Sequence, residues 1–569
     1  MRNSMPYQLL LLVLVAFSGP NVANAQIQFP GKPAGISTQL KAADVMYVLP
    51  PLDPLRLESA LQSDNKHLLK SYEFAMERRV NLSPDSHGSW EQKDQYRIWR
   101  VHVVSPGALS LGLVFNKYNL EPGVKLFAYN PGQEHVRGAF TSGNNKKSGI
   151  LPVGHIPGDE VIIEMQVPQE LPGYGELKVE SVSHAFRGVK QNFETAECPA
   201  GEFGCSQACE IDVNCTEGDN WQSAKRSVVR VYTTRFYCTG VLVNNTDYDG
   251  TPYIITAEHC LNKQYYADRT VFQFGYESPD CYGGDGPLNM SVSGAELLAH
   301  GDSIDFSLVK LSLAPPDSFN AYYAGWDRSD FQTSATTTIH HPWGDVKKIS
   351  SDTDAPSIPT HPGDVPYSDL DDYHYFSFWW IRQWDSGTTE GGSSGSPLFN
   401  AGQRLIGTLS GGIAKCGDSI GYDSDNDRVI YNQAFNYDDY YTRLSMAWDY
   451  YGDNDASLKP WLDPGNTGVE TIGGYLPNSV DPGTQFPGSH FSLFPNPANE
   501  TLFVSSSGTL PGMDLSYGIY NHSGALLLSG NMEKALTTRI ETASLTPGLF
   551  VIRIEGPEFH EAHKFIVNR

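Results

Sequence analysis

Apolar and polar positions alternate with period two through much of the first third of the chain. Trp99-Arg100-Val101-His102-Val103 alternates, and Leu109, Leu111, Leu113 and Phe115 stand two apart. Val161 to Val167 forms a further run of the same kind. Period two is that of a strand with one buried face. Asn130-Pro131-Gly132 and Ile156-Pro157-Gly158 punctuate these runs as turns. The pattern predicts a β-rich domain over residues 26–195. At the other end, Tyr517-Gly518-Ile519-Tyr520, Gly548 to Ile554 and Lys564-Phe565-Ile566-Val567 predict a small β-sandwich over residues 491–569. Glycine and proline pairs between them, such as Asp481-Pro482-Gly483 and Pro487-Gly488, mark residues 476–490 as a linker. The middle block, residues 196–475, carries further short strands, among them Tyr253 to Thr256 and Leu405-Ile406-Gly407. No heptads or long repeats interrupt this reading, so the predicted class is all-β.

Composition agrees with this picture and adds a compartment. The chain has 569 residues with 54 Gly, 37 Pro and 30 Tyr, a balance that favours strands and turns over helices. Residues 1–25 read as a secretory signal: Arg2, the nine apolar residues Leu9 to Phe17, then Ala23-Asn24-Ala25. Nine residues of helix span about 14 Å, against about 30 Å for a hydrocarbon core, so this is no membrane span. All eight cysteines lie between Cys198 and Cys416. An even number in an exported chain points to disulfides, and the absence of any CxxC pair argues against a metal site. A net charge of -25 disfavours nucleic-acid partners.

Three segments of the middle block carry chemistry. Tyr253-Ile254-Ile255-Thr256-Ala257-Glu258-His259-Cys260 runs a strand into a histidine. Asp302-Ser303-Ile304-Asp305-Phe306 places a carboxylate at the start of another strand. Gly391-Gly392-Ser393-Ser394-Gly395-Ser396-Pro397 is a glycine-flanked serine loop. Acyl transfer needs a nucleophile, a base, an orienter for that base and donors for the oxyanion. Ser394, His259 and Asp305 are candidates for the first three roles, and the N–H groups of Gly392 and Ser394 for the last. No cofactor is expected.

Thr-Ala-x-His-Cys and Gly-x-Ser-Gly-x-Pro resemble the motifs of trypsin-like serine peptidases. The resemblance implies a chymotrypsin-like double β-barrel. Two departures matter. Ser393 stands where trypsin-type zymogens have the Asp that receives a new N-terminus, and Thr388 stands where trypsin has its specificity Asp. A closer resemblance, over roughly residues 205–470, is to bacterial lysyl endopeptidases. Cys209-Glu210-Ile211-Asp212-Val213-Asn214-Cys215, Cys238-Thr239-Gly240-Val241-Leu242-Val243 and Trp461-Leu462-Asp463-Pro464 carry it. The block before resembles that family's propeptide. The tail, through Phe494-Pro495-Asn496-Pro497 and Lys564-Phe565-Ile566-Val567, resembles type IX secretion sorting domains.

These resemblances imply a secreted or surface-attached endopeptidase, acting on proteins or peptides and recognised by the type IX machinery. They imply disulfides Cys209–Cys416, Cys215–Cys281 and Cys238–Cys260, leaving Cys198 and Cys205 to pair locally. They also imply a specificity Asp beyond Cys416. Counting from Ser394 lands on Asp425, with Asp423 and Asp427 as alternatives. Ser410 stands where the family's pocket has a histidine, which leaves room for Arg as well as Lys, or for broader specificity. A non-catalytic binding protein on the same fold is the competing reading, and an adhesin is another. Lys190, before the polar stretch Gln191 to Glu197, is expected to be a site of self-processing.

Overall fold

The computed structural model describes residues 32–34, 46–63, 69–187, 206–365, 373–416, 419–423, 428–431 and 438–477, and in the tail 491–494, 498–499, 501–506, 515–521, 525–532, 537–556 and 559–567. The signal segment, Cys198, Cys205, Lys190, Asp425 and Asp427 lie outside the described residues, as does the side chain of Asp423.

Strands dominate, as the alternation predicts. The N-terminal block is a sandwich of a six-stranded and a four-stranded sheet. Its core holds Trp99, Val101, Val103, Leu111, Leu113, Phe115, Val161, Ile163, Met165 and Val167. These are the period-two positions of Tyr96–Val104, Ser110–Leu120 and Glu160–Pro168. The opposite face of Tyr96–Val104 is not simply wet. Arg100 is buried there, with its Nε donating to Glu164 at 2.8 Å, while the Tyr129 hydroxyl donates to the same carboxylate at 2.8 Å. A buried charge is tolerated only when paired and hydrogen-bonded in this way.

The middle block contains two antiparallel sheets. One contains Val228–Tyr232, Phe236–Val243, Tyr253–Thr256 and Phe306–Leu311. The other contains Thr336–His340, Pro397–Asn400, Leu405–Gly412 and Asp439–Arg443. A shared core, including Val241, Ile255, Phe306, Ile339, Phe399 and Leu405, joins them. The first sheet has an eighth strand from outside: Tyr72–Glu73 of the N-terminal block pairs antiparallel with Phe236 and Tyr237.

Three disulfides fasten this block: Cys209–Cys416, Cys215–Cys281 and Cys238–Cys260. The tail has two sheets of three and four strands around Leu502, Val504, Ile519, Phe550, Ile552, Ile554 and Phe565. No helix among the described residues is long and apolar enough to cross a membrane.

Candidate active site

The site forms at the seam of the two middle sheets. The strand Tyr253–Thr256 ends just before His259, and Cys260, the next residue, is tied to Cys238 on the neighbouring strand. Asp305 precedes Phe306–Leu311, which pairs with Tyr253–Thr256 on its other edge. The pairing therefore brings His259 and Asp305 together from 46 residues apart. His259 Nδ1 lies 3.0 and 3.1 Å from the two Asp305 oxygens, and the His259 backbone N–H donates to Oδ1 at 3.1 Å. Asp305 is fully buried and holds φ 52°, a left-handed angle that Asp tolerates better than most residues.

Ser394 comes from the other sheet, on the loop before Pro397–Asn400. Its Oγ lies 2.7 Å from His259 Nε2. The loop is held by Thr239, whose N–H donates to Ser394 O at 2.8 Å and whose hydroxyl donates to Gly392 O at 2.9 Å. Gly392 has φ +97°, and a Cβ there would lie 2.7 Å from His341 O. Only glycine fits, and its N–H is thereby turned to the same side as that of Ser394. Both point at one oxygen. The backbone carbonyl of Lys70, from the N-terminal block, accepts from Gly392 N at 2.5 Å and Ser394 N at 3.1 Å.

The Lys70 side chain runs into a buried pocket. Its Nζ donates to Thr389 O at 2.9 Å, Thr389 Oγ1 at 2.9 Å and Ala414 O at 2.6 Å, and lies 3.3 Å from Asp439 Oδ1. Asp439 Oδ2 is occupied elsewhere, by Thr389 Oγ1 at 2.6 Å and Trp384 Nε1 at 2.7 Å. That leaves Oδ1 toward the ammonium. Burial pushes the Asp439 carboxyl above the usual carboxylate range, and Lys70 pulls in the opposite direction.

The carboxylate that meets a lysine here is Asp439, which the count from Ser394 did not single out. Leu405–Gly412 and Asp439–Arg443 are adjacent, with Gly412 opposite Asp439. Residues 413–438, which include the hairpin Ser419–Asp423 and Arg428–Tyr431, connect them in sequence. The signal for Asp439 in the sequence is its place just before Tyr440-Tyr441, an aromatic run that follows Val429-Ile430-Tyr431.

Ser410 is buried, and its hydroxyl lies 3.0 Å from Thr442 Oγ1. Thr442 in turn donates to Ile304 O at 2.6 Å and Asp305 O at 3.2 Å. Ser410 thus sits beneath the Asp305 turn. Ser393 turns inward, its Oγ lying 2.8 Å from His340 Nδ1 and accepting from Glu390 N at 3.1 Å. Around it lie the buried Glu210 and Glu390, both held well above the carboxylate range by burial. Burial also pushes His340 down to about 3, so that imidazole is neutral. Among the described residues no group of His, Cys, Asp and Glu could hold a metal ion.

Residues 203–428 match the family model for the C-terminal domain of lysyl endopeptidase, and residues 492–568 match the secretion system C-terminal sorting domain. A lysyl endopeptidase of Pseudomonas aeruginosa is 30% identical over 284 residues, covering 46% of this chain and 57% of that protein. The chain thus spans just over half the length of that relative. Among solved structures, kallikrein-related peptidase 10 is 15% identical, covering 39% of this chain and 92% of its own, with a TM-score of 0.25. A Glu endopeptidase in complex with MPD is 12% identical, covering 38% and 85%, with a TM-score of 0.23.

Proposed function

We propose that this exported chain, which joins a lysyl endopeptidase-type peptidase domain to a secretion sorting domain, hydrolyses peptide bonds on the carboxyl side of lysine. Ser394 is the nucleophile. His259 takes its proton and later gives it to the leaving amine. Asp305 holds the imidazole with Nε2 facing Ser394 and stabilises the imidazolium as it forms. Gly392 N and Ser394 N receive the charge that develops on the carbonyl oxygen. An acyl-enzyme forms, and water hydrolyses it. The type IX secretion machinery is the partner of the tail.

The observation that carries the lysine preference is the set of acceptors around one ammonium. Thr389 O, Thr389 Oγ1, Ala414 O and Asp439 Oδ1 converge on a single nitrogen. A compact point charge with three donors suits such a cage, whereas the planar fork of Arg spreads its donors apart. A neutral side chain would leave Asp439 buried and unpaired, which is costly.

The test is to digest one denatured protein with the purified enzyme and map every cut. Cuts should follow Lys. Labelling by a fluorophosphonate should require Ser394. A cut map without enrichment of Lys would overturn the specificity, and absence of labelling after the N-terminal block is removed would overturn the catalytic reading.

A further inference from the structure

We propose that the chain cuts itself between Lys70 and Ser71, so that the first substrate of the enzyme is its own N-terminal block. This rests on the lysine-directed peptidase reading above and goes on to name a bond.

The chain on both sides of that bond is paired with the peptidase domain. Upstream, Leu69 forms an antiparallel bridge with Gly411. At the bond, the Lys70 carbonyl lies between Gly392 N and Ser394 N, and its side chain fills the pocket that ends at Asp439. Downstream, Tyr72 and Glu73 pair with Tyr237 and Phe236. Tyr72 stacks on Trp343 at 5.4 Å, and Phe74 stacks on Tyr237 at 3.9 Å. Arg187, at the far end of the block, clamps the strand by donating to Glu73 O at 3.0 Å and Leu61 O at 2.8 Å. A lysine in the pocket and a carbonyl between the two oxyanion donors are the placement of a substrate's scissile residue, and N-terminal sequencing decides whether the bond is cut or only held.

The chemistry balances as ordinary hydrolysis. Ser394 Oγ bonds to the Lys70 carbonyl carbon while its proton passes to His259 Nε2. The Lys70–Ser71 C–N bond breaks, and that proton leaves on the Ser71 amine. Water then attacks the ester, giving a Lys70 carboxylate and free Ser394. The nick does not release the pieces by itself. Met46–Val48 remains paired with Tyr96–Val104 on one side, and Tyr72–Glu73 with Phe236 and Tyr237 on the other. Until the arm withdraws, no outside substrate reaches the pocket.

The experiment compares full-length wild type with Ser394→Ala by N-terminal sequencing and mass spectrometry under denaturing conditions, alongside hydrolysis of a lysyl reporter peptide. The expected result is a new terminus at Ser71 and a fragment ending at Lys70 in wild type, neither of them in Ser394→Ala. Lys70→Gln should slow the appearance of the Ser71 terminus by about 10²-fold or more, because the pocket carboxylate is left unpaired. Wild type that hydrolyses the reporter yet keeps the Lys70–Ser71 bond intact would overturn the self-cut alone. A Ser71 terminus in Ser394→Ala would overturn it too, since another protease would then be responsible. Failure to hydrolyse any lysyl substrate after the block is removed would overturn the reading beneath it.

Discussion

Ser394 depends on its neighbour as much as on its own hydroxyl. Gly392 stands at φ +97° with His341 O and Gly344 N closing over the space a Cβ would need. Gly392→Ala should therefore shift the loop and misdirect one oxyanion donor, lowering kcat by about 10²–10³-fold. Steady-state kinetics on a lysyl substrate, with KM little changed, would check this. Ser394→Ala should lower kcat by about 10⁶-fold, and adding His259→Ala should cost little more, because nucleophile and base act as one unit. Asp439→Asn keeps the shape of the pocket floor and its contacts to Thr389 and Trp384 while removing the charge. The ratio of kcat/KM for lysyl over neutral substrates should fall by about 10²–10⁴-fold, with the melting temperature almost unmoved. The short motifs around His259, Asp305 and Ser394 bring them forward as candidates from sequence, and the fold places the three side chains within hydrogen-bond distance of one another. Asp439 is not singled out by sequence, because no short motif surrounds it. Lys70 is not, because nothing around a lysine in sequence says that it will lie in a distant pocket.

Strand alternation located the elements of the N-terminal block, because burial of one face imposes period two wherever a sheet covers a core. It could not reveal that Arg100 is buried on the other face, since a charged residue reads as wet until its partners Glu164 and Glu91 are placed. Likewise the apolar Tyr253 to Thr256 announced a strand, but the partner of each edge emerged only from the fold. The Cys238–Cys260 bridge joins two neighbouring elements across 22 residues of chain. Removing both cysteines should cost about 3 kcal/mol of stability, on a chain-entropy estimate for a loop of that size. It should also lower kcat more than KM, because Cys260 adjoins His259. Thermal unfolding and kinetics of a Cys238→Ala/Cys260→Ala variant would test both effects.

Across the whole molecule, the N-terminal block meets the peptidase domain beside a histidine that resists protonation. His155 contacts Ser110 and Ser183, packs edge-on to Phe74, and is pushed down to about 3 by burial and by Arg137 and Arg230. An exposed histidine titrates near about 6.5, so between those values the released or unfolded block binds more protons than the docked one. Docking should hold above about pH 6.5 and weaken as pH falls toward 4. Size-exclusion chromatography of nicked protein across that range should show the block leaving at the acid end, and retention at pH 4 equal to that at pH 7 would refute the linkage.

The bridge from Cys209 to Cys416 has a practical reach beyond stability. It pins the entrance of the peptidase domain directly beneath the pocket, where Ser206 donates to Asp345 and Gln207 to Glu390. The interior position that a freshly cut amine would have to reach in a trypsin-type enzyme is already filled by Ser393 and His340. On this arrangement the residue at which the N-terminal block is finally trimmed away should not set the rate. Preparations trimmed at different residues between 188 and 205, or carrying a short tag there, should turn over substrate at one common rate.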